Sequence, residues 1–220
     1  MAQDPAYRPT RPPHMPVTCG GATLTGRARL RSAPPLAALD DEAAARDRLH
    51  RQHSYVCTMH VNIRSYAQRD AADLADVFFR SVRQVALSDY TVAQVVAWAP
   101  ERATHDKMHK AASDGRQALV AANERDHAVA YLDLEPDGHI DHLYCAPEAA
   151  GHGIASQLYE AIETVARKQG ISRLYTEASE LARRLFERKG FAVLERQNKV
   201  LRGVPIHNYR MAKDLRPALT

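Results

Sequence analysis

The chain has 220 residues, 45% of them apolar, and a formal charge of +4. That length supports one sizeable core with an appendage, the mild charge argues against dedicated nucleic-acid binding, and no apolar run approaches the roughly 20 residues that cross a bilayer or the shorter stretch of a signal peptide. Cys19, Cys57 and Cys145 form no C-x-x-C pair, which excludes a disulfide framework and a zinc ribbon and points to a reducing, cytoplasmic setting.

Residues 1–58 hold seven of the twelve prolines and eight Arg against five acidic residues. Such a composition buries too little apolar surface to order itself, so this stretch reads as a disordered leader before a domain over 59–216. Met59 directly precedes the first strand pattern, which allows a second reading in which the native chain starts there. A transit peptide fits less well, because the stretch is poor in serine and turns acidic at Asp40, Asp41 and Glu42.

From His60 the pattern becomes periodic. HVNIRSY alternates as a strand, and Asp70 can cap a helix carrying Leu74, Val77, Phe78, Val82 and Val85. A second helix follows Thr91 through Val95, Val96 and Trp98. After a polar helical stretch from about 101 to 114, QALVAAN and HAVAYLDLE read as strands, and the turn PDG leads into the strand HIDHLYCA. Next comes a helix ended by Gly170, the strand RLYTEAS, the helix LARRLFERK stopped by Gly190, and two strands near FAVLERQNKV and VPIHNYRMAK. The order β-α-α-β-β-β-α-β-α-β-β describes an α/β (α+β) domain, a mostly antiparallel mixed sheet with helices on both faces. The strand–helix–strand unit over 139–179 supplies the parallel pairing. Edge strands near the C-terminus offer a surface on which two copies could pair as a homodimer.

One turn stands out. PEAAGHGIASQLYEAIETVARKQG begins with a proline and a run of small residues, then continues as a helix with Ile154, Leu158, Ile162 and Val165 at helical spacing. Gly151 and Gly153 let backbone amides approach a ligand that larger side chains would hold off. The first N–H groups of the helix lack intrahelical partners and carry partial positive charge, a combination suited to phosphate.

The element order and this turn together resemble the GNAT family of acetyl-CoA-dependent N-acetyltransferases over about residues 60–215. The family's motif (Arg/Gln)-x-x-Gly-x-(Gly/Ala) falls on Ala150 to Ala155, with Ala150 replacing the first Arg or Gln. HLYCAP before the turn and LFERKGF after it add to the likeness, and DYTVAQVVAWAP, TEAS and NYRM are similar to the bacterial YafP-type branch. The resemblance implies a GNAT fold in which Ala150, Gly151, His152, Gly153, Ile154, Ala155 and Ser156 cradle the pyrophosphate of acetyl-CoA. It also implies that Leu143, Tyr144 and Cys145 pair with the pantetheine arm where the fourth and fifth strands splay apart, and that Phe186 packs beside the coenzyme. No metal is expected.

An amine acceptor, small-molecule or protein, must lose a proton before it attacks, so a base is needed within reach. Asp141 stands where the histone-acetyltransferase branch carries its general-base Glu, and it is the first candidate; an ion pair or a solvated strand carboxylate is the alternative. Glu177 is the reserve, as a base or as a contact to a cationic acceptor. Many family members place an acid Tyr where this chain has Phe186, leaving Tyr175 and Tyr209 as substitutes. Tyr90 and Trp98 flank the segment that covers the acceptor side in this fold, and serve either as pocket lining or as helix packing. Cys145 reads as a buried strand cysteine, not an acyl carrier. HDKMH at 105–109 mimics a zinc-protease spacing, but its polar flanks and missing third ligand argue against a metal site. The competing class is a catalytically silent acyl-CoA-binding module, favoured by Ala150 and Phe186.

Overall fold

The computed structural model describes residues 59–215, so the leader expected over 1–58 lies outside the described residues. Seven strands and five α-helices follow one another: β1 Asn62–Ser65, α1 Ala71–Arg80, α2 Val92–Trp98, α3 His105–Ala112, β2 Gln117–Ala122, β3 Ala128–Leu134, β4 Leu143–Cys145, α4 Ile154–Lys168, β5 Arg173–Ala178, α5 Glu180–Arg188, β6 Ala192–Leu201 and β7 Val204–Asp214. The polar stretch after Trp98 thus condenses into a third helix of its own. None of the described helices is long and apolar enough to cross a membrane.

Capping follows the sequence at most helices. Thr91 accepts from the Gln94 amide while the Gln94 side chain accepts from the Thr91 amide, a reciprocal cap, and Thr104 and Ser179 accept from Lys107 and Ala182. Asp70 behaves differently from its expected capping role. Its carboxylate accepts from the Ala67 amide and from both Arg64 guanidinium nitrogens at 2.7 and 2.9 Å, which ties β1 to the entry of α1.

The strands form two antiparallel sheets, one ordered β1-β2-β3-β4 and the other β5-β7-β6. Between them, β4 and β5 are neighbouring edges, and their parallel pairing is confined to one bridge at His139 and Tyr175. There the Ile140 amide donates to Tyr175 O at 2.8 Å and the Tyr175 amide to Gly138 O at 3.1 Å, with the Thr176 hydroxyl on Ile140 O. Beyond this point the edges diverge. The register explains why HIDHLYCA is a regular strand only in its second half: Asp133 N donates to His142 O, whereas Glu135 N donates to His139 O. The offset changes by one residue between these bonds, which places a bulge at Ile140–Asp141 and redirects their side chains.

All seven residues of β3 are buried, since helices cover both sides of its sheet. Leu132, Ala130, Leu143 and Cys145 share one face with the α4 residues Leu158 and Ile162, while Tyr131 and Tyr144 share the other, where Phe78 of α1 meets Tyr144 edge-on at 4.9 Å. β6 is the outer edge of the second sheet and leaves Val193, Leu194 and Val200 exposed.

Gly138 sits at φ +95°, and a Cβ there would meet the Arg173 carbonyl oxygen at 2.2 Å. Gly138→Ala should therefore destabilise the chain by more than about 1 kcal/mol, because it forces the two edges apart at their only described bridge. Thermal melting of the variant checks this, and a melting temperature equal to wild type would refute it.

Candidate active site

Two features flank β4 and β5: a main-chain cradle after β4, and a set of charged side chains around the bulge that precedes it. The cradle begins after the short helical turn Pro147–Ala149. Gly151 and Gly153 adopt φ +82° and +76°, the left-handed region in which glycine carries no Cβ penalty. Gly153 occupies the N-cap position of α4, and a Cβ on it would meet nothing within 4 Å. A cavity of about 360 Å³ beside the turn is lined by Gly151, Gly153, Ile154, Ala155 and Ser156. Among the described residues, the amides of Gly151, Gly153, Ile154 and Ala155 donate to no backbone carbonyl, as the first N–H groups of a helix should not. The Ala150 amide, in contrast, already donates to Ala146 O at 3.0 Å, so Ala150 shapes the turn without offering a donor.

The opposite wall of the cavity is α5. Leu181, Arg184, Leu185 and Arg188 line it, a spacing of three and four residues that places them on one helix face. Phe186 points elsewhere: it is wholly buried, with Phe191 at 4.8 Å and Tyr159 at 6.0 Å, and it is a core residue instead of a cavity wall. Arg184 and Arg188 were not among the candidates drawn from the sequence. The readable signal was the arginine pair in LARRLFER, four residues apart and one strand beyond the glycine turn. Arg184 also pairs with Asp89 ahead of α2.

The main-chain edge of Leu143, Tyr144 and Cys145 turned away from β3 meets no strand among the described residues. These three residues are wholly buried, as are Thr176 and Ala178 of β5 and Ser179 after it. The Cys145 thiol is part of that packing, which fits an inert core cysteine better than a nucleophile.

Asp141, redirected by the bulge, joins a buried ionic cluster. Its carboxylate lies 2.9 Å from an Arg116 nitrogen that also reaches Asp133 at 2.8 Å, and Arg116 further binds Glu135 and Asp114. His142 Nδ1 stands 2.7 Å from Asp133. Asp133, Asp141 and His142 are metal-ligating types close together, but the Arg116 guanidinium supplies the cation at the centre. Burial alone would push Asp133 up, yet His142 and Arg116 overrule it and hold the carboxyl at about 2. Burial would likewise lower His142, and Asp133 with Asp141 raises it instead.

Glu177 belongs to the same neighbourhood with a different exposure. Its side chain is 27% exposed against 1% for Asp141, and it accepts a 2.8 Å hydrogen bond from His139 Nε2. That bond lowers the Glu177 pKa and raises that of His139, which also stacks on Tyr175 at 4.8 Å. The Tyr175 hydroxyl donates to Asp137, and that of Tyr209 donates to Glu180 at 2.6 Å.

Tyr90 and Trp98 are both buried and pack edge-on at 5.6 Å, with Tyr144 beyond Trp98 at 6.5 Å. The Tyr90 hydroxyl donates to His207 O and accepts from the Glu180 amide, fastening the start of α5 to β7. Tyr90 therefore acts as a structural staple beside the opening. His105 and His109 stack on α3 at 6.2 Å, and His109 is held by the Tyr66 hydroxyl.

Comparison with known proteins agrees with this arrangement. A model of the acetyltransferase (GNAT) domain matches residues 86–213. The chain is 29% identical over 151 residues to the uncharacterised N-acetyltransferase YafP of Escherichia coli (strain K12), covering 69% of this chain and 94% of that protein. Among solved structures it is similar to a GCN5-related N-acetyltransferase from Rhodopseudomonas palustris, with 30% identity, a TM-score of 0.64, and coverage of 71% of this chain and 98% of the other. It also shares its fold with YncA of Salmonella typhimurium, solved with acetyl-CoA, at 18% identity, a TM-score of 0.58, and coverage of 73% and 97%.

The buried cluster makes stability depend on pH in two ways. The depressed Asp133 pKa contributes stability above the ordinary carboxylate value of about 4, lost as pH falls towards about 2. The raised His142 pKa contributes stability present below about 6.5 and lost as pH rises through its folded value. Melting temperatures of wild type and Asp133→Asn across this range should converge at the acid end. A constant gap between them would refute the assignment.

Proposed function

The chain belongs to the GNAT acetyltransferase family, and from that premise we propose that it transfers the acetyl group of acetyl-CoA to an amino group by direct attack, on a small-molecule or protein amine. The observation that carries this reading is the Gly151–Gly153 cradle, whose amides face the same cavity as Arg184 and Arg188, beside the diverging edges of β4 and β5. Amides at a helix start and two guanidinium groups suit a diphosphate. The arginines on α5 also compensate for Ala150, where the family motif has a longer side chain.

Acetyl-CoA, when bound, supplies an activated thioester. What the chain contributes is position and charge. The cradle anchors the phosphate end, and the outer edge of β4, which no described strand covers, runs where the arm would lie once the edges separate. A backbone N–H on that edge would polarise the reacting carbonyl, a preorganised dipole at the atom that gains negative charge. Of the two carboxylates, Glu177 suits the base: it is ionised at neutral pH, partly exposed, and oriented by His139. Asp141 is engaged with Arg116, and its role is to hold that cluster together. No side chain of this chain carries the acyl group.

The short Ala150 and the core position of Phe186 favour a second reading, a module that binds acyl-CoA without turnover. Calorimetry with acetyl-CoA, beside an assay of thiol release with a panel of primary amines, separates the two. Turnover of any amine establishes the transferase, and binding without turnover across the panel establishes the module.

Gly153→Ala and the Arg184→Gln/Arg188→Gln pair should each weaken coenzyme A binding about tenfold or more, and the arginine variant should also flatten the dependence of affinity on salt. Unchanged affinity in both would mean that the phosphates lie elsewhere.

Glu177→Gln should lower kcat by about 10²-fold or more with coenzyme A affinity unchanged, and the acid limb of kcat/KM should lie below the ordinary carboxylate range because His139 lowers the Glu177 pKa. Asp141→Asn should instead lower the melting temperature, since it leaves buried Arg116 short of a partner. Equal rates in wild type and Glu177→Gln would remove Glu177 from the mechanism.

A further inference from the structure

Three buried polar atoms on the β6–β7 ribbon make no hydrogen bond: Nδ2 and Oδ1 of Asn208 and Oε1 of Gln197. Asn208 is wholly buried and stands opposite Gln197 in the β6–β7 register. Cross-strand partners share a face with Cβ atoms about 5 Å apart. An Asn and a Gln so placed ordinarily bond to each other, yet these do not. Buried side-chain amides without partners are rare in folded chains, because each forfeits its hydrogen bonds to water. The backbone ladder does not need them, and apolar side chains would fill the same positions at no polar cost.

Their position suggests what they await. On β7, Arg210 lies two residues from Asn208 and is the register partner of Glu177 on β5, so Glu177, Asn208 and Gln197 share one sheet face, with Asn208 about 7 Å along the strand from the row of Glu177. Helix α2 is tied over the end of this ribbon by Gln94 Nε2 on Pro205 O at 2.9 Å and by Arg202 on Ala97 O at 2.6 Å. The unsatisfied amides thus lie on the face of the proposed base, on a ribbon whose end is tied to α2.

We propose that Asn208 and Gln197 form a subsite that recognises a neutral primary carboxamide on the acceptor amine. Asn208 Nδ2 donates to its carbonyl, Asn208 Oδ1 accepts one of its N–H groups, and Gln197 Oε1 accepts a second. This complementarity needs a ligand group that both donates and accepts, which a simple alkylamine or a carboxylate lacks. The assignment to an acceptor rests on the transferase reading of the neighbouring Glu177.

The test compares glycinamide with propylamine, binding to the full chain saturated with coenzyme A, by ligand-observed NMR titration. Wild type should bind glycinamide at least tenfold more tightly. In Asn208→Leu that preference should vanish while the melting temperature of the free protein stays equal or rises, because the substitution removes a buried unpaired amide. Equal binding of the two probes by wild type, an undiminished preference in the variant, or a melting temperature several degrees below wild type in a folded Asn208→Leu would each overturn the proposal. If Asn208→Leu does not fold, Gln197→Met at the edge strand carries the same comparison, with a reduced preference expected and an unchanged one decisive against. Turnover is not read in this experiment, so a failure of the transferase reading would show separately, as absent thiol release with the probes still discriminated.

Discussion

The site depends on how β4 and β5 meet and then part. Near Gly138 the two edges are pinned by the bonds of Ile140 and Tyr175 to the opposite strand, and no Cβ could be accommodated against the Arg173 carbonyl. One step later the bulge at Ile140–Asp141 shifts the register of the β3–β4 ladder, and from Leu143 onward the outer edge of β4 has no strand partner among the described residues. A continuous sheet would have spent those backbone groups on itself. Interrupting it leaves a polar edge beside the glycine cradle, which is the arrangement a ligand bound through main chain requires.

The same bulge turns Asp141 into the interior, and the interior answers with Arg116. One guanidinium among Asp114, Asp133, Glu135 and Asp141 leaves an excess of negative charge, which the raised His142 pKa offsets. Buried ion pairs of this kind seldom add net stability, but removing one partner is costly. The cluster is therefore best understood as fixing the geometry of the bulge, and so the direction of the splay. Glu177, bonded to His139, is by contrast partly exposed.

Helix α5 connects the two halves of the site. Its Arg184 and Arg188 line the cavity beside the glycine turn, while its first amide is held by Tyr90, whose hydroxyl also reaches β7 near Asn208. The Asp89–Arg184 pair repeats the connection from the adjacent residue. The segment before α2 and the cavity wall are thus tied together through two adjacent residues, Asp89 and Tyr90.

Much of this was legible in the amino-acid order. Period-two and period-3.6 patterns located the seven strands and four of the five α-helices, because burial on one face imposes those repeats wherever an element packs, while α3 showed only as a polar stretch outside that order. The glycine turn before Ile154 was legible as a helix start bare of side chains, and Gly151 and Gly153 take positive φ there. Single-residue roles were another matter. Asp141 and Glu177 are alike in a string of letters, and only their burial, 1% against 27% side-chain exposure, separates an ion-pair partner from a candidate base. Arg116, Arg184 and Arg188 lie far from the residues they serve, so no local pattern marks them. Phe186 and Leu185 differ by one step around a helix, and Asp70 exchanged a cap for Arg64. Local order along the chain is set by periodicity and backbone preference; which charges meet, and which amides are left waiting, depends on long-range contacts that the sequence leaves open until the sheets close.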